Sequence, residues 1–251
     1  MTTCPRDGFT PLQKLAPRER AQAVREMFSA LAPCYDLLNH LLSLNTDRSW
    51  RRSAVDRLGW EARPDGLYLD LCAGTYDLAI ELCRRPGFNG RVVALDFSLA
   101  MLREGTPKIA RRPVSPLCGD ALSIPLAAGS LDGAMVAFGV RNLADIDAGL
   151  RELKRVLRPG ARLVILDFAM PTRQPLRSIY RAYFTRLVPV VGRLISKHSY
   201  AYTYLPESVR VFARPGELQS CLQAAGYRDL GCAGLTGGIA CLCWGTRAEG
   251  R

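Results

Sequence analysis

Four short apolar runs, Leu67 to Cys72, Arg91 to Phe97, Leu131 to Phe138 and Ala161 to Phe168, recur through the middle of the chain. Each has the length and apolar content of a strand buried on both faces. Between them, Asp77 to Arg85, Ser98 to Arg112 and Asp145 to Leu157 carry apolar residues at helical spacing, and Arg158-Pro159-Gly160 stops the last. Strands that alternate with helices predict βαβ units, a parallel sheet and an α/β fold. Toward the C-terminus, Pro215 to Ala225 reads as a helix ended by Gly226, with two further strands around Leu230 and around Ile239 to Trp244. The first 65 residues, helical by periodicity, and an insertion from about Met170 to Phe212 lie outside the alternating core. In doubly wound sheets such additions cover the carboxyl ends of the strands, where ligands bind. The expected organisation is one structural domain with an N-terminal helical cap (1–65), a nucleoside-binding core (66–169), a helical lid (170–212) and a C-terminal helix with strands (213–251).

Composition narrows the class. With 48% hydrophobic and 23% charged residues and no low-complexity tract, the chain is an ordinary globular one. A formal charge of +11 favours polyanions, either nucleic acid or anionic lipid head groups, and its sign does not choose between them. There is no run of about 18 apolar residues, and the N-terminus lacks the order of a secretory signal. The expectation is a cytoplasmic protein, or one peripheral to the inner face of a membrane. Nine cysteines (Cys4, Cys34, Cys72, Cys83, Cys118, Cys221, Cys232, Cys241 and Cys243) include no Cys-x-x-Cys pair, and there are two histidines. That predicts free, mostly buried thiols and no metal site.

The candidate chemistry starts at Leu69-Asp70-Leu71-Cys72-Ala73-Gly74-Thr75-Tyr76-Asp77, which follows a strand and opens a helix. The next strand ends in Asp96, about 20 residues past the turn, where a carboxylate accepts hydrogen bonds from two ribose hydroxyls. Asp120 and Ala121 end the third strand region, where an acidic side chain and an amide meet an adenine edge. The loop lacks the Gly-x-Gly-x-x-Gly that lies under a pyrophosphate, so a nucleoside without phosphates fits better. Any one of Asp70, Asp77, Asp96 and Asp120 alone could equally be a strand-end or helix-cap residue. Together, in register, they favour a nucleoside site.

The order of these motifs resembles that of class I S-adenosylmethionine-dependent methyltransferases. The flanks resemble one family among them, the ubiquinone/menaquinone biosynthesis C-methyltransferases, from about Phe28 to Trp244. The residues that carry the likeness are Phe28, Tyr35-Asp36-Leu37-Leu38-Asn39, Ser43, Trp50-Arg51, Phe138-Gly139-Val140-Arg141-Asn142, Asp145, Arg155 to Gly160, Tyr202-Thr203-Tyr204-Leu205 and Ser208. The resemblance implies a Rossmann-like, seven-stranded, mostly parallel sheet with helices on both faces, N-terminal helices and a helical lid. It implies S-adenosylmethionine as cofactor, held by Asp70, Gly74, Thr75, Asp96, Asp120, Ala121 and Ala137, the last replacing a serine common in the family. The implied substrate is a polyprenyl quinol, demethylmenaquinol or the equivalent benzoquinol, with Tyr35, Asn39, His198, Tyr202 and Tyr204 on its side of the site. Departures from the family pattern are Cys72 and Ala73 for Gly and Cys, Asn45 for Gly, Ala161 for Gly and Asp167 for Glu. The largest is Tyr76 for the glycine of Gly-Thr-Gly-Asp. Its ring either turns out of the pocket or fills cofactor space, and the second case would make the chain a non-catalytic subunit of quinone synthesis.

Methylation of a ring carbon needs alignment and help with deprotonation of an adjacent hydroxyl. Arg141 and Asn142, at the carboxyl edge of the sheet, are the catalytic candidates, the guanidinium stabilising a developing phenolate. The plainer alternative for Arg141 is a surface ion pair with Asp145 or Asp147. From Pro175 to Lys197, Leu176, Ile179, Tyr180, Tyr183, Leu187, Val191 and Leu194 alternate with five cations at helical spacing, with a kink expected at Pro189. This reads either as an interfacial helix on an anionic membrane or as a lid packed on its own core. Another small-molecule substrate of the same fold is a rival. RNA is disfavoured, because the arginines are interleaved with apolar residues rather than with exposed stacking aromatics, so no nucleic-acid partner is expected. The oligomeric state is left open, with a homodimer as the candidate.

Overall fold

The computed structural model describes residues 16–183, Arg186 and 215–249. The apolar runs become β1 (Leu67–Leu71), β2 (Arg91–Asp96), β3 (Val114–Cys118), β4 (Leu131–Ala137), β5 (Leu157–Phe168), β6 (Tyr227–Leu235) and β7 (Ala240–Arg247). They pair in the order β3-β2-β1-β4-β5-β7-β6, with β7 antiparallel to both neighbours and the other adjacent pairs parallel. This is the mostly parallel seven-stranded α/β sheet that the resemblance implied. The winding direction reverses between β1 and β4, so the loops leaving these strands diverge and open a crevice at their carboxyl ends.

Around the sheet lie α1 (Pro17–Leu31), α2 (Tyr35–Leu42), α3 (Thr46–Leu58), α4 (Asp77–Cys83), α5 (Leu99–Ile109), α6 (Ile146–Val156), α7 (Leu176–Ala182) and α8 (Pro215–Ala224). Side chains alternate along β1, so Tyr68 and Leu69 enter different cores. On one face Ala79, Leu82, Leu102 and Ile109 of α4 and α5 cover Tyr68, Met135, Val164 and Leu242. On the other, Leu150, Leu153 and Val156 of α6 and Leu218 and Leu222 of α8 cover Leu69, Leu71, Val136 and Ile165.

Helix α3 differs from expectation. The sequence places it outside the core, yet Trp50, Ala54, Val55 and Leu58 are buried in the first face. The apolar stripe is narrow and lies among Arg48, Arg51, Arg52 and Arg57, so polarity hid a layer helix. Full burial of each large apolar side chain there stabilises the fold by about 1.5–3 kcal/mol. Strand β5 also begins earlier than expected, at Leu157, directly after α6. The register jumps from Leu131 opposite Leu157 to Gly133 opposite Arg162, and Gly160 at φ 78° takes up the extra length. Asn45 sits at φ 60°, the left-handed conformation expected of a residue replacing glycine.

The expectation of free thiols fails for one pair. Cys232 and Cys243 are register partners on β6 and β7, with Cα atoms 4.1 Å apart, and are joined as a disulfide. Strand register rather than sequence spacing brings them together. Cys34, Cys72, Cys83, Cys118, Cys221 and Cys241 are free.

Of the insertion, α7 is described: Tyr180 is buried and Ile179 is 62% exposed. His198, Tyr202 and Tyr204, and the segment with Pro189, Val191, Leu194 and Lys197, lie outside the described residues. Among the described residues, no helix is long and apolar enough to cross a membrane, and there is no group of side chains that could hold a metal ion.

Asp145 is the N-cap of α6, its Oδ1 accepting from the Ala148 amide at 2.9 Å. Asp145→Ala is expected to cost about 1 kcal/mol, read as a lower urea midpoint with an unchanged m-value.

Candidate functional site

The site is built on the turn between β1 and α4, where Cys72, Gly74 and Tyr76 all have positive φ (56°, 54° and 70°). Hydrogen bonds from neighbouring elements hold this turn. The Ala73 amide donates to the Leu95 carbonyl at 3.0 Å and the Gly74 amide to Asp96 Oδ2 at 2.9 Å. Asp70 Oδ2 accepts from Ala79 in the first turn of α4 at 2.9 Å, where a carboxylate also meets the positive end of the helix. Opposite Cys72, a Cβ on Gly139 would lie 2.4 Å from Cys72 Cβ, so glycine there makes room for the strained turn.

Above the turn opens a cavity. Gly74, Asp96, Asp120, Ala121, Ala137 and Asn142 line it, with apolar walls that include Phe28, Phe97 and Met101. An apolar cleft with a few polar groups is the form of a small-molecule site. Asp96 is 5% exposed, and its oxygens accept from Gly74 and, at 2.8 Å, from Ser98. A carboxylate has about four lone-pair positions, so acceptor capacity remains for a ribose diol. Burial raises the Asp96 pKa, against the pull of the Ser98, Gly74 and Phe97 amides. Asp120, exposed, accepts from the Leu122 amide at 2.9 Å, which fixes the turn beside Ala121. This donor and acceptor set fits the nucleoside part of S-adenosylmethionine.

A smaller annexe shares Tyr35, Cys72, Ala137 and Phe138 with the main cavity. Its polar lining is Arg51, Asp70, Thr75 and Asp77, so Asp70 and Thr75 belong to the annexe and not to the main cavity. Burial pushes the Asp70 carboxyl up to about 8, opposed by the Ala79 amide. Thr75 Oγ1 donates to Asp36 Oδ1 at 2.5 Å, and Lys108 Nζ bridges Asp36 Oδ2 and Asp77 Oδ1, both at 2.7 Å. Arg51 pairs with Asp47 and, at 3.3 Å, with Asp77 Oδ2. The Tyr35 pKa is raised by burial, partly offset by the neighbouring Asn39 side chain.

Arg141 lines neither space. Its Nη1 pairs with Asp167 and donates to the Phe138 carbonyl at 2.7 Å, and its guanidinium lies 5.4 Å from the centre of the Phe168 ring. Asp167 is fully buried, so the alternative of a surface pair with Asp145 or Asp147 is replaced by a core ion pair. Asn142 does line the cavity, and its Nδ2 donates to the same Phe138 carbonyl at 3.3 Å. The sequence reading assigned no role to Asp36, Arg51 or Lys108. The first two fall within quoted motifs, whereas nothing local marks Lys108, which meets Asp36 72 residues away.

Tyr76 does not plug the cavity. Its side chain is 0% exposed in the core, its hydroxyl donates to the Leu102 carbonyl at 2.7 Å, and its ring packs where a Cβ on Gly105 would come within 2.6 Å. The ring therefore joins the turn to α5, which removes the basis for a blocked, non-catalytic protein.

The sequence profile of the ubiE/COQ5 methyltransferase family matches residues 16–247. The chain is 47% identical over 204 residues to a demethylmenaquinone methyltransferase of Thermus thermophilus, covering 80% of this chain and 91% of that protein. It is 39% identical over 233 residues to a ubiquinone/menaquinone biosynthesis C-methyltransferase UbiE of Geobacter sulfurreducens, covering 91% and 90%. In fold it is similar to the crystal structure of a SAM-dependent methyltransferase from Aquifex aeolicus, with a TM-score of 0.54 and 22% identity over 73% of this chain and 83% of that one.

Two outcomes follow from this geometry. Tyr76→Gly is expected to lower stability on the scale of other buried aromatic deletions, about 3–5 kcal/mol, less the relief of a left-handed backbone. It is expected to give no gain in affinity for S-adenosylhomocysteine. Gly105→Ala is expected to cost about 1–3 kcal/mol, and urea titration of the double variant should show a less than additive loss. The second outcome concerns pH. With the Asp70 pKa raised to about 8, the annexe holds a proton at neutral pH, and a cationic ligand favours the ionised form. Calorimetric affinity for S-adenosylmethionine should therefore rise between about pH 6 and pH 8, and Asp70→Asn should flatten the profile.

Proposed function

The chain belongs to the ubiE/COQ5 methyltransferase family, and from that membership we propose that it transfers a methyl group from S-adenosylmethionine to a ring carbon of a polyprenyl quinol, converting demethylmenaquinol to menaquinol. The observation that carries this reading is the open cavity at the β1/β4 switch point, with Asp96 in its wall and Tyr76 turned away from it. S-adenosylmethionine, when bound, supplies an electrophilic methyl on a sulfonium.

The protein aligns the ring and stabilises the phenolate that forms as the neighbouring hydroxyl loses its proton. Asn142 is placed to orient the ring from the cavity wall. Arg141, behind the Phe138 to Asn142 turn and ion-paired with buried Asp167, holds the Phe138 carbonyl that also receives the Asn142 amide, and so positions Asn142. Tyr35, between cavity and annexe, and Asn39, one helical turn further along α2, belong to the substrate side. A quinol with an isoprenoid tail resides in a bilayer, so we place the enzyme on the cytoplasmic face of an anionic membrane. The formal charge of +11 and the exposed Arg177, Ile179 and Arg181 of α7 support that contact.

The test is transfer of a labelled methyl group to demethylmenaquinol in detergent. Transfer is expected, and Asn142→Ala, which removes the amide from the cavity wall, should lower kcat by about 10²–10³-fold while S-adenosylhomocysteine binding is kept. A folded protein that binds the cofactor product but methylates no quinol would refute the substrate assignment.

A further inference from the structure

Asp36 lies on α2 directly after Tyr35, and its carboxylate meets the cofactor turn through Thr75. A threonine hydroxyl has one proton and two lone pairs, and a carboxylate only accepts. The proton of Thr75 is thus committed to Asp36, and toward the annexe the hydroxyl oxygen offers only lone pairs. Of the other polar lining groups, Asp77 is a carboxylate acceptor, Asp70 becomes one when it ionises, and the Arg51 guanidinium is held in ion pairs with Asp47 and Asp77. Three carboxylates, Asp36, Asp47 and Asp77, share the two cations Arg51 and Lys108, so the surroundings of the annexe keep an excess of negative charge that suits a cationic donor rather than a carboxylate.

We propose that Asp36 is a positioning residue: it fixes Thr75 as a hydrogen-bond acceptor and fastens the α2 cap to the cofactor turn, so that the annexe selects the ammonium group at the aminoacyl end of the cofactor. Burial alone would raise the Asp36 pKa, but hydrogen bonds from Lys108 and Thr75 more than offset it, so the carboxylate stays ionised at neutral pH. Lys108 holds the second oxygen of Asp36 and also Asp77, which orients the carboxylate toward Thr75. Asparagine at position 36 keeps the shape but brings an NH2 group, which can donate to Thr75 and release its proton toward the annexe. The polarity of the subsite then reverses without loss of volume.

The inference rests on the cofactor reading, and the experiment separates the two. Calorimetry would compare wild type and Asp36→Asn with three probes: S-adenosylhomocysteine, its decarboxylated analogue, which keeps the ammonium, and methylthioadenosine, which lacks the aminoacyl chain. The expected result is a loss on the order of 10-fold or more for the first two probes in Asp36→Asn, with methylthioadenosine affinity within about twofold of wild type. Equal weakening of all three probes would reveal a merely structural role and overturn the proposal, as would unchanged S-adenosylhomocysteine binding. Failure of wild type to bind any probe would overturn the cofactor reading itself. If Asp36→Asn does not fold, Thr75→Val, which deletes the acceptor, should show the same selective loss, and its absence would equally count against the proposal.

Discussion

The left-handed turn after β1 is the constraint on which the rest of the site depends. Cys72, Gly74 and Tyr76 all adopt positive φ within five residues, and two of them carry side chains that resist it at a cost of order 1–3 kcal/mol each. The structure tolerates this because the opposing surfaces leave room: Gly139 faces Cys72, and Gly105 faces the Tyr76 ring. The turn in turn aims the Gly74 amide at Asp96, and so places the carboxylate in the cavity wall. A change at any of these glycines would act on the cavity through the turn.

Around that turn the protein keeps several buried ion pairs, which are poor sources of stability because desolvation offsets their attraction. Arg141 and Asp167 illustrate the cost, since Arg141 Nε and Asp167 Oδ2 are buried without hydrogen-bond partners. Their value is geometric. The pair holds the Phe138 carbonyl, which also receives the Asn142 amide, so the ion pair presents Asn142 to the cavity while keeping the guanidinium behind its wall. The motif Arg141-Asn142 thereby divides into one residue that faces the cavity and one that holds it in place from behind.

The sheet was legible because a strand buried on both faces reads as an unbroken apolar run, and β1, β2 and β4 begin within a residue or so of where those runs begin. Acidic residues at strand ends were legible for the same reason, since Asp96 is the last residue of its strand. Side-chain direction was not. Whether Tyr76 blocks the cavity depends on a rotamer set by Gly105, 29 positions further along, and no local pattern encodes that pairing. Arg141 finds Asp167 rather than the nearby Asp145 because Asp145 is used as a helix cap. Helix α3 was misplaced because four arginines flank its stripe, and the Cys232–Cys243 pair depends on the register of β6 and β7.

The consecutive residues Tyr35 and Asp36 connect the two halves of the site. Tyr35 forms part of the wall of both the main cavity and the annexe, and Asp36 holds Thr75 and Lys108. A helix cannot move one of these without the other, because adjacent residues share a rigid backbone segment. Any displacement of α2 that opens the substrate side must also stretch the hydrogen bond to the cofactor turn. The cap is therefore coupled to the cofactor turn by covalent geometry, and a ligand that strengthens the Asp36–Thr75 contact also stabilises the Tyr35 wall shared by the cavity and the annexe.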